Sequence, residues 1–173
     1  MSELTIALAG NPNAGKTTIF NALTGLLQHT GNWPGKTVEK KEGRIEHGGL
    51  TINIVDLPGT YSLTAYSPEE IIARDFIIEE CPDVVINVVD ATNLERNLYL
   101  TVQLLELNVP VVLALNMSDE LHKDGAKINT DQLSQLLGNI PVVQTAAHQS
   151  KGVSALLDQA VQMARANYRP SHN

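Results

Sequence analysis

Gly10-Asn11-Pro12-Asn13-Ala14-Gly15-Lys16-Thr17 decides the fold. The stretch fits G-x-x-x-x-G-K-[ST], the phosphate-binding loop. Its glycines let the backbone wrap closely around an anion, with successive N–H groups pointing inward. A helix starting near Lys16 would add the positive end of its dipole. The Lys16 ammonium suits β- and γ-phosphates, and the Thr17 hydroxyl suits Mg²⁺. The flanks agree with this reading. Residues 4–9 form an apolar, strand-like run, and Ile19, Phe20, Leu23, Leu26 and Leu27 then fall on one helical face. Gly25 is placed to stop that helix.

Beyond this loop, strand-like runs alternate with helical patterns. Residues 37–45 and 50–55 read as two strands joined at His47-Gly48-Gly49. Residues 28–36 and 57–66 read as loops. Ser67-Pro68-Glu69-Glu70 announces a helix, with Ser67 as cap, Pro68 at the first position and Glu70 completing a capping box; Pro82 closes it. Strands follow over 83–90, 110–115 and 140–143. Helices are marked by Leu94, Leu98, Val102 and Leu105, by residues 131–137, and by Val153, Leu156, Leu157, Ala160, Val161 and Ala164. Near-continuous Val/Ile/Leu strands imply a mostly parallel sheet covered on both faces. The expected fold is α/β, with six strands, one of them antiparallel, and about five helices.

Three further motifs each end a strand. Asp56-Leu57-Pro58-Gly59 puts a carboxylate where a Mg²⁺-linked group belongs, and Gly59 can offer its N–H to a γ-phosphate. In Asn116-Met117-Ser118-Asp119, the Asp119 carboxylate can accept from guanine N1 and the exocyclic N2, a donor pair adenine lacks. Thr145-Ala146-Ala147 matches the loop whose N–H meets guanine O6. Alone, the first is a turn and the second a helix start; their order after the phosphate loop gives them meaning.

Composition sets the bounds. The chain of 173 residues suits one domain, 43% of it is apolar, and 4% is aromatic, so the core is aliphatic. Lys plus Arg is 12 against 19 Asp plus Glu, a net charge of −7, which argues against a nucleic-acid partner. Cys81 is the single cysteine and cannot form an internal disulfide. No run reaches the roughly 18 apolar residues of a membrane span, and Met1-Ser2-Glu3 lacks a signal peptide's basic start, so the chain is expected to be soluble. The five histidines show no metal-ligand spacing. Lys40 and Lys41 read as a solvated strand face, Cys81 as a packing residue, and His29 as a surface residue.

With these motifs in order, the chain resembles the Ras-like P-loop GTPases over nearly its full length. Three runs narrow the resemblance: 31–39 around Trp33-Pro34-Gly35-Lys36-Thr37, 56–63 from Asp56 to Leu63, and 88–100 through Asp90-Ala91-Thr92-Asn93-Leu94-Glu95-Arg96-Asn97. They look like the bacterial ferrous iron transport protein B family, as does Met117 where Lys is usual. Residues 1–173 would then be one GTP-binding domain, lacking the helical regulatory domain and membrane region of full-length members. The polar tail 169–173 follows its last helix.

The resemblance implies nucleotide contacts from Gly10, Asn11, Pro12, Asn13, Ala14, Gly15, Lys16, Thr17 and Thr18. It adds Gly35, Lys36 and Thr37, then Asp56, Leu57, Pro58 and Gly59, and on the base side Asn116, Met117, Asp119, Thr145, Ala146 and Ala147. Lys16, Thr37, Gly59 and Asn13 would serve catalysis. Mg²⁺ would be held by Thr17, Thr37 and, through water, Asp56; Thr30 competes with Thr37 for this role. In related potassium-activated GTPases an Asn at position 13 ligates K⁺ with first-switch carbonyls, here those of Gly31 and Trp33. The alternative for Asn13 is a turn residue tolerating positive φ. Thr60 stands where a Gln usually orients water, so intrinsic hydrolysis of GTP to GDP is expected to be slow.

The implied function is a slow, K⁺-stimulated GTPase switch regulating ferrous iron uptake. It would act on the cytoplasmic face of the bacterial inner membrane, with the membrane permease region of the full-length protein as partner and a G-domain oligomer as a further expectation. The alternatives are an RNA- or ribosome-associated GTPase, and a GTP/GDP-binding interaction module with negligible hydrolysis.

Overall fold

Strand β1 (Glu3–Gly10) runs directly into the phosphate loop, which turns into helix α1 (Lys16–Thr24). In this computed structural model residues 3–167 are described; Met1, Ser2 and residues 168–173, with the polar tail 169–173, lie outside them. The other strands are β2 (Gln28–Asn32), β3 (Glu39–His47), β4 (Leu50–Asp56), β5 (Val84–Asp90), β6 (Val111–Asn116) and β7 (Val142–Gln144). The helices are α2 (Pro68–Asp75), α3 (Leu94–Glu106), α4 (Ser118–Lys123), α5 (Thr130–Leu136) and α6 (Val153–Ala166).

Among the described residues one sheet of seven strands forms, in the order β2-β3-β4-β1-β5-β6-β7. β3 runs antiparallel to its neighbours β2 and β4, and the other pairings are parallel. The expected architecture is present with one strand and one helix more than the six and five read from sequence. The extra strand is β2, which falls inside the expected loop 28–36. The extra helix is the six-residue α4.

Alternation along β1 shows how the layers arise. Ile6 and Leu8 face one side, packing with Ile19, Phe20, Leu156 and Ala160 of α1 and α6. Ala7 and Ala9 face the other, with Ile72, Leu100 and Leu104 of α2 and α3. The small Ala residues let the second layer sit close.

Local signals act largely as read. Gly25 at φ 59° ends α1 and donates to Asn21 O at 2.9 Å. Ser67 Oγ accepts from Glu70 N at 3.2 Å. The capping box closes differently, however. The Glu70 carboxylate takes the Thr64 hydroxyl at 2.7 Å and Tyr66 N at 3.3 Å, and these bonds hold its pKa below the usual range. Glu70 thus braces the loop before α2. A π turn, Phe76–Glu80, extends α2 before Pro82. Cys81 does not pack as expected: it is exposed, at φ 47°.

The register gathers the motifs. Leu8 lies beside Asp56, Gly10 beside Val88, and Asp90 beside Asn116, so the ends of β1, β4, β5 and β6 form one rim. β1 is the strand from which the order runs both ways, the switch point where such sheets bind ligands.

Candidate functional site

A cavity of about 540 Å³ opens at this rim, lined by Asn11, Pro12, Asn13, Gly15, Lys16, Thr17, Thr18, Gly59 and Met117. Its floor admits no side chain at two glycines. A Cβ on Gly15 (φ 93°) would lie 2.1 Å from Asn116 Nδ2, and one on Gly10 would lie 2.6 Å from Val88 O. The chain keeps its backbone bare there, as an anion cradle requires. Asn11 is buried, and its Oδ1 has no partner among the described residues.

Lys16 is the first residue of α1, and its ammonium pairs with the buried Asp56 carboxylate. Burial pushes the Asp56 pKa above its ordinary value, and Lys16 opposes that rise. The following loop is drawn onto the cradle: Leu57 N donates to Leu8 O and Thr60 N to Gly10 O, both at 3.0 Å. Thr60 is buried, and Gly59 lies against Pro12.

The opposite side of the cavity is lashed together by Asn116. Its Nδ2 donates to Ala14 O at 3.0 Å, while its Oδ1 accepts from Thr145 Oγ1 at 2.9 Å and Ala147 N at 3.1 Å. One side chain therefore joins the phosphate loop, β6 and the loop after β7. Met117 sits in a left-handed conformation, φ 60°, with its methyl group over Gly15. Asp119 Oδ1 is buried without a partner among the described residues.

The first-switch residues lie elsewhere. β2 pairs with β3 from Gln28↔Gly43 to Asn32↔Glu39, and Gly35, Lys36 and Thr37 are exposed in the turn between them. Thr30 is exposed on β2. The Trp33 carbonyl accepts from Lys36 N at 2.9 Å. Its indole packs edge-on against Phe76 at 5.7 Å, under Lys40 Nζ at 4.8 Å, so Lys40 is more than a solvated face. Trp33, Pro34 and Lys36 line a separate groove with α2 residues. Thr37, Gly31 and Trp33 thus do not meet Thr17, Asp56 or Asn13 at the cavity. β-pairing holds the segment at the sheet edge instead. Asn13 itself adopts φ 68°, the positive-φ turn conformation, with its exposed side chain at the cavity.

Fit differs by group. The bare cradle, Lys16 and the orphaned Asp119 oxygen suit a nucleotide. The Thr17 hydroxyl and Asp56 carboxylate are the hard oxygen donors a divalent cation such as Mg²⁺ takes. The K⁺ donors are not assembled here.

Sequence reasoning missed His148 and Gln149, which reach Asp119 Oδ2 at 3.1 and 3.4 Å. It also missed Arg96, which stacks on Tyr61 at 4.6 Å and shares a small polar hollow with Asn11 and Asn13. Asn97 in the same run braces the end of β5, accepting from Asp90 N at 3.1 Å. His148 lies too far along the chain from Asp119 for spacing to reveal the contact.

Residues 4–160 match the family described as ferrous iron transport protein B. The chain belongs to that family. Among its relatives, an Fe(2+) transport protein A/Fe(2+) transporter FeoB fusion protein of Porphyromonas gingivalis is 54% identical over 157 residues, which cover 90% of this chain and 18% of the relative. The Fe(2+) transporter FeoB of Salmonella typhimurium is 52% identical over 90% of this chain and 21% of its own length. The chain thus spans about a fifth of these curated relatives. Solved structures agree. The Methanococcus jannaschii FeoB G-domain is 49% identical with TM-score 0.85, covering 95% of this chain and 99% of that one. The T. maritima FeoB cytosolic domain in apo form is 48% identical with TM-score 0.91, covering 95% and 65%. An S. thermophilus NFeoB mutant bound to GDP is 49% identical with TM-score 0.89, covering 100% and 67%.

Proposed function

We propose that this chain binds GTP and GDP and hydrolyses GTP slowly, as the nucleotide switch of a ferrous iron transporter. The observation that carries the reading is the Asn116 lash. It ties the anion cradle that lines the cavity to the loop after β7, whose His148 and Gln149 contact Asp119, and Asp119 Oδ1 is buried without a partner among the described residues. A buried carboxylate oxygen without a donor is costly. Guanine N1–H and the N2 amino group are the donors it fits. A family relative is bound to GDP.

In this reading the Lys16–Asp56 pair is the resting arrangement. Phosphates draw the Lys16 ammonium away, and the charge of a divalent cation would replace it in keeping the buried Asp56 carboxylate ionised. Mg²⁺, held there by Thr17 and Asp56, would supply charge neutralisation on the β- and γ-phosphates. Gly59 offers its N–H toward the γ-phosphate. Thr60 is buried and its N–H is tied to Gly10, so it does not position water, which supports slow turnover.

Thr37, Gly35, Lys36, Gly31 and Trp33 join the site when the β2–β3 turn leaves the sheet edge. K⁺, held by Asn13 with the Gly31 and Trp33 carbonyls, would offset charge developing on the phosphates. The second reading, a GTP/GDP-binding module with negligible hydrolysis, is favoured by the same burial of Thr60. The four-fifths of the relatives' length outside the match would carry the membrane permease region, placing this domain on the cytoplasmic face of the membrane.

Single-turnover phosphate release from GTP, in KCl and in NaCl, tests the reading. Release faster in KCl is expected. Equal rates would remove the cation, and no release would leave the binding module.

A further inference from the structure

Asp119 is held more closely than its motif requires. Oδ1 is buried and unpartnered, while Oδ2 meets His148 Nε2 at 3.1 Å. A carboxylate only accepts, so His148 Nε2 carries the hydrogen in this contact. Gln149 Nε2 adds a longer contact to the same oxygen at 3.4 Å.

Both residues sit on one short 3₁₀ turn, Ala147–Gln149. Its first N–H, that of Ala147, goes to Asn116 Oδ1. The turn is closed on itself by Ser150 N to Ala147 O at 2.9 Å, and by Ala146 and Lys151 bonding each other at 3.0 and 3.2 Å. It is therefore a rigid platform. Of the two donors to Asp119 Oδ2, Gln149 is the more distant at 3.4 Å and His148 the closer at 3.1 Å, so His148 makes the stronger hold on the carboxylate.

A carboxylate's terminal torsion is broad and roughly two-fold. Held at Oδ2, the group presents Oδ1 to one donor, and Oδ2 keeps a lone pair for a second. We propose that His148 is a positioning residue for guanine recognition, orienting Asp119 so that both oxygens receive the base's N1–H and N2 amino group. The proposal rests on the guanine-nucleotide reading above.

The test measures dissociation constants of GDP, IDP and ADP for the wild type, His148→Ala, His148→Gln, Asp119→Ala and the double variant H148A/D119A. IDP lacks the N2 amino group. His148 is exposed, so its variants fold. H148A should weaken GDP about five- to tenfold, one partly exposed hydrogen bond's worth, and IDP less. H148Q should restore most of the loss. On the D119A background, H148A should add nothing. An unchanged GDP-to-IDP ratio in H148A, or an equal loss without Asp119, would overturn the role of His148 and leave the guanine reading intact. A wild type that binds ADP as tightly as GDP would overturn that reading and the proposal with it.

Discussion

The base side of the cavity and the first switch are built in opposite ways. Asn116, Thr145 and Ala147 are buried and mutually bonded, and the loops they join are fixed before any ligand arrives. The first switch is an exposed edge hairpin whose turn, Gly35 to Thr37, faces solvent. Besides the β2–β3 pairing, its buried anchor is Trp33, 7% exposed, and even there the indole N–H is buried without a partner among the described residues. An unsatisfied buried donor costs about 1–3 kcal/mol, which weakens that anchor. One half of the site is preformed, and the other is held loosely enough to move.

The largest effect should come from Lys16→Ala, on the fixed side. Loss of two charge-assisted hydrogen bonds of about 2 kcal/mol each should weaken GDP about a thousandfold by calorimetry. A loss under tenfold would mean the cradle alone holds the phosphates. Asn116→Ala comes next. It strips partners from Ala14 O, Thr145 Oγ1 and Ala147 N, and should lower stability in urea by about 3 kcal/mol. A neutral result would break the claim that this side is preformed.

How much was legible follows the same division. The phosphate loop, Asp56, Asn116 and Asp119 were readable because each is a short motif at a strand end, where local sequence sets the geometry. β2 was not. Gln28-His29-Thr30-Gly31-Asn32 has no apolar alternation, and it is a strand because β3 offers an open edge. Helix α4, Ser118–Lys123, is likewise placed by its neighbours: Ser118 N bonds Thr145 O at 3.2 Å. The burial of Trp33 and the reach of His148 to Asp119 are contacts across the fold, invisible to spacing. Thr37 was named for its loop, which lies in the exposed turn between β2 and β3, away from the cavity.

Two smaller effects sharpen the contrast. Asp119→Asn should weaken GDP about a hundredfold and favour xanthine over guanine nucleotides, because the amide donates where the base donates. Unchanged preference would remove Asp119 from the base. Trp33→Ala should lower stability by about 1–2 kcal/mol while leaving GDP affinity within about twofold. If GDP affinity fell in parallel, the two halves would not be separable.

Trp33 is the chain's single tryptophan, so its emission reports the first switch alone. The decisive measurement compares that emission with GDP and with a non-hydrolysable GTP analogue, each with Mg²⁺ and K⁺. A red shift with the analogue and none with GDP is expected, as the indole leaves Phe76 for solvent. Identical spectra in both states would contradict a site with one fixed half and one that moves.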